Sequence, residues 1–345
     1  MRKVICILLT VLVILFHCNI PANATEIVDE GYCNGEKGVM WKLDDQGTLT
    51  LYGEGEIIDY IPSYRNPPWQ KHQINIKKIV IEEGVTRIGD YSFYFLNYVT
   101  SVSIPQSVTS IGTGAFKRCE RLDDVILPDG LLDLQWNAFQ ECFQLSCIRI
   151  PEGIKKVYNA TFQGCRSLKS VILPEGLETI GGYAFYGCLQ LESIELPSNL
   201  SAIYDYAFQH CPLVEITIPD NVTKLGNNVF FSCQKLTRVK MSNNISVIGN
   251  STFDSCPKLQ EIILPSELTK INKHAFRFCS SLESITIPEN VSMIGSQAFW
   301  GCKSMEELIF TGDAPVFADD SFYALSTTVY YPPDNETWTE DIMQQ

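Results

Sequence analysis

The chain of 345 residues contains 40 acidic and 26 basic residues, which gives a formal net charge of −14. This excess of acid disfavours binding to nucleic acid or to anionic membrane surfaces, because both need clustered Lys and Arg. A length of 345 residues would ordinarily indicate two or three globular domains. A repeated sequence pattern from residue 77 onward overrides that expectation.

The first 24 residues have the features of a secretory signal peptide. Arg2 and Lys3 precede an apolar run from Val4 to Phe16, and Ala22-Asn23-Ala24 supplies the small residues of a cleavage site. The run is shorter than the roughly 20 residues that span a bilayer, so a membrane anchor is the weaker interpretation. We therefore predict cleavage after Ala24, secretion to the exterior or cell surface, and no membrane insertion of the mature chain. Loss of Arg2 and Lys3 would change the net charge from −14 to −16.

Residues 25–76 precede the repeats and are predicted to form a β-rich N-terminal cap. Within them, Trp41 to Leu51 contains two alternating runs around a turn that includes Gly47, a pattern typical of a β-hairpin. Pro67-Pro68-Trp69 is expected to close this segment onto the first repeat.

From residue 77 a pattern of small residue–Phe–x–x–Cys recurs about every 23 residues. Such a fixed period indicates a solenoid, in which one supersecondary unit stacks on copies of itself. The phenylalanines of the pattern are Phe93, Phe116, Phe139, Phe162, Phe185, Phe208, Phe230, Phe253, Phe276, Phe299 and Phe322. The cysteines that follow three positions later are Cys119, Cys142, Cys165, Cys188, Cys211, Cys233, Cys256, Cys279 and Cys302.

The repeat at residues 168–188 predicts a short strand followed by a turn. Val171 and Leu173 alternate with outward positions, as in a strand with one buried face. Pro174 has no N–H for the sheet ladder and should end the strand, and Glu175-Gly176 should form the turn.

The second half of that repeat is predicted to return to the core and to form a short helical turn. Leu177 and Ile180 should be buried, and Gly181 should supply a permissive backbone position. One side of the helical turn would then carry Ala184, Phe185 and Cys188.

The register of the repeats changes only at Cys211-Pro212-Leu213, where one residue is deleted. This deletion predicts a local kink and no domain boundary. Residues 77–327 are therefore predicted to form one solenoid of about eleven repeats, followed by a C-terminal cap or tail at residues 328–345.

The motif Leu-Pro-x-x-Leu-x-x-Ile-Gly-x-x-Ala-Phe-x-x-Cys, intact from Leu173 to Cys188, resembles the BspA-like leucine-rich repeat family, also called Treponema pallidum-type repeats. The resemblance implies an α/β solenoid, a right-handed superhelix with a parallel sheet on its concave face and short helical turns and loops on its convex face. It also implies adhesion to host matrix proteins or to other cells, carried by the repeats.

The cysteines of the repeats are predicted to be buried thiols. A secreted chain with many cysteines would normally suggest disulfides, but Leu96 and Leu325 occupy the same position in the outer repeats. An apolar position suits a free buried cysteine. Cys33 and Cys147 lie outside this register; Cys147 could be a partly covered thiol, an accessible reactive one, or bonded to Cys33 or another chain.

No residue set typical of an enzyme, a cofactor or a metal occurs in the chain. His72, His210 and His274 lie in no nucleophile motif and form no His-x-x-x-His pair. We therefore predict a protein without catalytic activity, cofactor or metal.

The outward side chains of the repeated strands form the predicted binding face for a protein partner. Exposed isoleucines beside arginines suggest anchors within a polar rim, although β-branched residues also simply suit strands. The predicted residues are Ser103, Ile126, Cys147, Arg149, Ile172, Glu195, Arg238, Lys240 and Ile263. A structural role in a cell-envelope assembly is the alternative, and the oligomeric state is left open.

Four Asn-x-Ser/Thr sites share one turn of the repeat, two residues after the proline position. Turn chemistry explains their asparagines better than glycosylation does, because Asn favours turns. The four are Asn199, Asn221, Asn244 and Asn290.

Overall fold

The N-terminal segment opens the β-structure with an antiparallel meander. The computed structural model describes residues 25–35, 37–322 and 325–343, so the predicted signal peptide lies outside the described residues. Strands β1 (Ile27–Tyr32), β2 (Met40–Asp44) and β3 (Thr48–Tyr52) pair in chain order. The predicted hairpin corresponds to β2 and β3.

A row of parallel strands, here called the front sheet, continues directly from β3. The edge of β3 pairs in parallel with Lys78–Ile81, which joins the N-terminal segment to the repeats. The later strands of the front sheet are Ser101–Ser103, Asp124–Val125, Cys147–Arg149, Ser170–Ile172, Glu215–Thr217, Arg238–Lys240, Glu261–Ile263, Ser284–Ile287, Glu307–Phe310 and Thr328–Tyr330.

A second row of short parallel strands, here called the back sheet, follows the proline turn of each repeat. Residues one repeat apart are paired, as in Thr179 with Ala202. The strands are Gly55–Glu56, Val85–Ile88, Ser110–Ile111, Asp133–Leu134, Lys156–Val157, Thr179–Ile180, Ala202–Ile203, Lys224–Leu225, Val247–Ile248, Lys270–Ile271, Met293–Ile294 and Val316–Phe317.

The repeat at residues 168–188 shows why the chain alternates between these rows. Val171 is buried between outward-facing neighbours, as the period of two requires. The Leu177 N–H donates to the Pro174 carbonyl oxygen at 3.1 Å, which closes the predicted turn. Leu177 and Ile180 are then fully buried. The predicted strand, turn and return to the core are therefore present.

The Ala-Phe-x-x-Cys segments stack into a third column, here called the turn column, and they are not helical. In the repeats from Phe93 to Phe299 the residues two before and two after the phenylalanine have left-handed φ angles, such as +62° at both Tyr206 and His210. A left-handed residue cannot continue a right-handed helix. Among the described residues the helices are a 3₁₀ turn at Pro68–His72 and one short helix, Glu340–Met343. The predicted α/β class and helical turns were therefore wrong, and the molecule is an all-β solenoid of about eleven turns.

Gly181 has a different role from the permissive backbone predicted for it. Its φ is not left-handed, but a Cβ atom there would lie 2.7 Å from the backbone nitrogen of Asn159 in the preceding repeat. A side chain at residue 181 would therefore clash with the preceding repeat unless the backbone shifted.

Backbone hydrogen bonds join all repeats of the turn column in one direction. The N–H groups of Tyr183, Phe185 and Gly187 donate to carbonyl oxygens of the next repeat at 2.9–3.0 Å. The same pattern runs from Tyr91 to Phe299. All these N–H groups therefore point toward the C-terminal neighbour, and the carbonyl groups that accept them point toward the N-terminal one.

A continuous stack of phenylalanine rings fills the centre of the solenoid. Successive rings from Phe93 to Phe322 have centroids 5.1–5.9 Å apart and lie nearly parallel. Trp69 continues the stack from the N-terminal segment, 5.8 Å from Phe93, and its indole N–H donates to the Ser92 carbonyl oxygen. At the other end Trp338 packs on Phe310 at 4.7 Å. Tryptophans thus close both ends of the aromatic core.

Each repeat cysteine donates its thiol to the phenylalanine carbonyl of the preceding repeat. The Cys188 Sγ lies 3.3 Å from the Phe162 oxygen, and the other eight make the same contact at 3.0–3.3 Å. Burial raises the pKa of the Cys165 thiol to about 12, which keeps it protonated and able to donate. Leu96 belongs to the first repeat, where Trp69 replaces the preceding phenylalanine. In nine repeats the position therefore supplies a thiol donor in addition to the predicted apolar packing, whereas Leu325 fills it without one.

Candidate protein-binding face

The predicted face residues lie in or directly beside strands of the front sheet, except Glu195, whose segment forms no strand. Cys147 is half-buried and the other eight are exposed. The structure does not place them on one continuously paired sheet, because strand pairing is interrupted after Asp124–Val125, at residues 193–196 and after Glu261–Ile263. The N-terminal group is Ser103, Ile126, Cys147, Arg149 and Ile172, the C-terminal group is Arg238, Lys240 and Ile263, and Glu195 lies in the interruption at residues 193–196.

The N-terminal group places a guanidinium between two exposed aliphatic side chains. Ile126 is 74% exposed and Ile172 is 47% exposed. Arg149 lies in the repeat between them and is in register with Ile172. Its Nη1 atom contacts Asp129 Oδ1 at 3.0 Å, but both side chains are more than half exposed, so the pair is readily broken.

The C-terminal group is dominated by a chain of opposite charges. Arg238 is between Glu215, at 3.4 Å, and Glu261, at 2.8 Å. The hydrogen bond to Glu261 raises the pKa of the Arg238 guanidinium, and the charge of Glu215 adds to that effect. Beside this chain Lys240 is in register with Ile263, which is 70% exposed. This half of the face is more polar than the N-terminal half.

The interruption at residues 193–196 forms a cleft of about 280 Å³ between neighbouring repeats. Ile194 remains buried, yet its segment has no strand pairing with Ser170–Ile172 or Glu215–Thr217. The back sheet continues past the same point through Thr179, Ala202 and Lys224. The one-residue deletion at residues 211–213 immediately precedes the strand beyond the cleft. Near the deletion the front sheet is therefore interrupted and the back sheet is continuous, and the predicted kink itself stays a prediction.

The surroundings of His72, His210 and His274 suit a structural role for these residues. His72 Nε2 contacts Asp29 at 2.7 Å, and hydrogen bonds from Lys71 and His72 lower the pKa of Asp29 to about 2. Burial lowers the pKa of both His210 and His274. Across the described ranges, no group of three His, Cys, Asp or Glu side chains is arranged to hold a metal ion.

No helix within the described residues is long and apolar enough to cross a membrane.

The four turn asparagines join neighbouring repeats. Each side-chain amide donates to a backbone carbonyl oxygen in the preceding repeat, at 2.8–3.0 Å. Their role in turns therefore agrees with the predicted turn chemistry, although the hydrogen bond is made to the preceding repeat and not locally. The four are Asn199, Asn221, Asn244 and Asn290.

A second cavity, which the sequence-based prediction missed, lies where the N-terminal segment meets the first repeat. It has a volume of about 440 Å³ and is lined by Tyr, Pro, Asn and Gln side chains. The clustering of these residue types between Tyr60 and Gln73 is the sequence feature from which the cavity could have been predicted.

Several solved structures of bacterial leucine-rich repeat proteins are similar to this chain. A leucine rich cell surface protein from Faecalibacterium prausnitzii is 24% identical, with 85% of this chain and 97% of that chain covered and a TM-score of 0.43. A leucine-rich repeat protein from Eubacterium ventriosum is 22% identical, covering 79% and 95%, with a TM-score of 0.47. One from Bacteroides ovatus is 25% identical, covering 86% and 99%, with a TM-score of 0.43. No curated protein matches the sequence.

The family model described as BspA type leucine rich repeat region matches six copies, at residues 71–129, 86–213 and 201–328. These matches together cover more than half of the 345 residues. They include every strand of the front sheet from Lys78–Ile81 to Glu307–Phe310. The chain therefore belongs to the BspA type leucine-rich repeat family.

Proposed function

We propose that this is a non-enzymatic binding protein that recognises a protein partner with its front sheet, outside the cell or on its surface. The observation that carries the proposal is the exposed row Ile126, Arg149 and Ile172 in the N-terminal half of that sheet. Membership in a family of repeat surface proteins is consistent with a protein-binding role. The predicted signal peptide supports export.

The row has the composition of an interface centre. Burying Ile126 and Ile172 against a partner would recover hydrophobic free energy of about 1.5–3 kcal/mol for each fully buried side chain. Arginine is enriched in such centres because its planar guanidinium stacks and forms several hydrogen bonds. Asp129 holds Arg149 only at the surface, so a partner's carboxylate can replace it. Adhesion to a matrix protein or to another cell would use this patch.

The C-terminal group would then supply specificity. Glu215, Arg238 and Glu261 already satisfy each other's charges, so a partner gains little by pairing with them. A wrongly charged partner would meet repulsion there instead. We expect the C-terminal group to exclude partners of the wrong charge. The N-terminal group would supply most of the affinity for the correct partner.

The test is binding of the protein to an array of matrix proteins, mucins and cells, with an Ile126→Glu/Ile172→Glu double variant. Leu132→Glu/Leu189→Glu is the matched control, because these leucines are 65% and 53% exposed but lie off the front sheet. We expect the front variant to lose binding by at least about a hundredfold, since two hydrophobic anchors are removed. The control should bind as the native protein does.

Equal binding by the front variant and the native protein would overturn the proposed face. Failure of the native protein to bind any of these ligands would favour the alternative, a structural role in an envelope assembly. Circular dichroism of each variant checks that the fold is retained.

A further inference from the structure

We propose that the cavity between the N-terminal segment and the first repeats, here called the cap cleft, binds a neutral mono- or disaccharide. The cap cleft is lined by Tyr60, Pro62, Ser63, Asn66, Pro67, Gln70, Gln73, Tyr91, Tyr94, Phe95 and Arg118. Its volume of about 440 Å³ is within the range of small-molecule sites, roughly 300–1,000 Å³. The cap cleft is separate from the front sheet. Its proposed role does not depend on the protein-binding function proposed for that sheet.

The walls of the cap cleft are held in place before any ligand arrives. The Tyr60 hydroxyl donates to the Cys33 carbonyl oxygen at 3.0 Å, and Trp69 is locked by its bond to Ser92. On the repeat side, a Cβ at position 114 would lie 2.6 Å from the Tyr91 ring, so Gly114 makes room for that ring. A preformed site avoids much of the entropy cost of ordering side chains on binding.

The charge of the cap cleft favours an uncharged ligand. Arg118 is the one charged group among its lining residues. Its Nε donates to Glu141 Oε2 at 2.6 Å, and its guanidinium lies 5.7 Å from the Phe95 ring centroid. The positive charge is therefore already neutralised, and a phosphate or carboxylate would have to compete with Glu141.

The polar groups of the cap cleft offer both hydrogen-bond donors and acceptors. Gln70 Nε2 donates to Gln73 Oε1 at 2.6 Å, which leaves Gln70 Oε1 as an acceptor and Gln73 Nε2 as a donor. Asn66 Oδ1 accepts from the Ser63 N–H, so its amide nitrogen is a second donor. Hydroxyl groups that both donate and accept match this mixture.

Because the hydrogen bonds of the turn column all run in one direction, a backbone carbonyl at its N-terminal end is available to the cap cleft as a further acceptor. At its N-terminal end the Asp90 and Ser92 carbonyl groups accept from Tyr60 N–H and from the Trp69 indole. The next carbonyl in the same series, that of Tyr94, accepts no hydrogen bond from any described residue. By the polarity of the column it points toward the N-terminal segment, and Tyr94 lines the cleft. A sugar hydroxyl would satisfy it.

Aromatic rings complete the match to a sugar. Tyr91 and Tyr94 lie at right angles with centroids 5.9 Å apart, and Phe95 is 5.8 Å from Tyr94. Such rings pack against the apolar C–H faces of a pyranose while the amides bind its hydroxyls. A proline-rich peptide would also use the rings, but its prolines have no N–H and would leave the Gln70 and Tyr94 acceptors unmatched.

The experiment is titration of the protein with neutral sugars (glucose, galactose, mannose, N-acetylglucosamine and their disaccharides), followed by ligand-observed NMR. The variants are Tyr94→Ala and Gln73→Met. Tyr186→Ala is the matched control, because Tyr186 occupies the position of Tyr94 four repeats later and is also half-buried. We expect at least one sugar to bind, with a loss of about tenfold or more in each cleft variant and none in the control.

Absence of binding by every sugar would overturn the proposal, as would equal binding by native protein and both cleft variants. Binding of a polyproline peptide without any sugar would assign the cleft to a peptide instead. Gln73→Met keeps the test decisive if Tyr94→Ala misfolds, because Gln73 is a half-buried residue at the end of a 3₁₀ turn and outside the buried core. Binding by the front sheet does not affect either result.

Discussion

The turn column and the front sheet follow the same period but differ in continuity. In the turn column every pair of repeats from Tyr91 to Phe299 is joined by backbone bonds, and its phenylalanine rings from Phe93 to Phe299 are fully buried. In the front sheet strand pairing is interrupted, most clearly at residues 193–196. Repeats therefore remain stacked through their buried column even where the surface strands separate. The column maintains the fold, which leaves the front sheet free to vary its side chains for recognition.

The largest expected effect comes from removing one ring of the column. Phe185→Ala should cost about 3–5 kcal/mol of unfolding free energy, because it leaves a cavity between two stacked neighbours. Phe322→Ala should cost less, since Phe322 is the last ring and is only partly buried. Urea denaturation of both variants measures the difference. Equal losses would show that the column does not concentrate stability in its interior.

Two arginine–carboxylate pairs, one in the turn column and one on the front sheet, test the same comparison for charged residues. Arg277 donates from Nη2 to Asp254 at 2.8 Å, and the Asp254 side chain is fully buried in the turn column. Arg277→Ala should therefore cost about 3 kcal/mol, because it leaves a buried carboxylate without its charged partner. Arg238→Ala on the front sheet should change stability far less, since that pair is exposed to solvent. Thermal denaturation tests both, and a larger loss for Arg238→Ala would contradict the contrast.

The thiol contact predicts an order of substitutions that hydrophobicity alone would reverse. Cys188→Ala should cost about 1–3 kcal/mol, because it removes the donor to the Phe162 carbonyl and leaves a small cavity. Cys188→Ser keeps a donor and should cost less. If burial of an apolar group were all that mattered, serine would be worse than alanine. Denaturant midpoints of the two variants decide between these explanations.

The smallest expected effect is a pH dependence from two histidines of the turn column. Burial lowers the pKa of His210 and His274 in the folded protein. Between that lowered value and the unfolded value near 6.5, the unfolded chain binds more protons, so stability should fall as the pH decreases below about 6.5. Above pH 7 this contribution should be constant. A His210→Gln/His274→Gln variant should have a shallower slope between pH 5 and 7, and an unchanged slope would exclude these residues as its source.

The rows of buried side chains could be predicted from the sequence, because stacking of the repeats requires each buried position to recur once per repeat. Val171, Leu177, Ile180 and Phe185 must all face the neighbouring repeats, and the structure buries each of them. The helical turn was wrong because an i, i+1, i+4 pattern also places side chains inward from a series of tight turns. The sequence signal that was missed is the residue type two positions before or after each phenylalanine. These positions often hold a residue that tolerates left-handed geometry. Examples are Gly114, Asn137, Gly164, Gly187, Asn228 and Gly301.

Features that depend on several repeats at once could not be predicted from the motif. The thiol bond joins a cysteine to a carbonyl 26 residues earlier, which a pattern of residue types does not reveal. The division of the predicted face follows from where strand pairing along the front sheet is interrupted, which the repeat motif does not specify. The cap cleft requires the N-terminal segment to be placed against Tyr91 and Tyr94.

The one-way hydrogen bonding of the turn column also restricts the symmetry with which copies of this solenoid can join end to end. One terminus of the column offers carbonyl oxygens and the other offers N–H groups, so two like termini would oppose acceptor to acceptor or donor to donor. A twofold-symmetric junction is therefore disfavoured, and only a head-to-tail arrangement would continue the bonds. The Trp69 indole already occupies one acceptor at the N-terminal end. The Tyr60 N–H occupies a second one, on Asp90, so the N-terminal segment limits extension into a filament from that side.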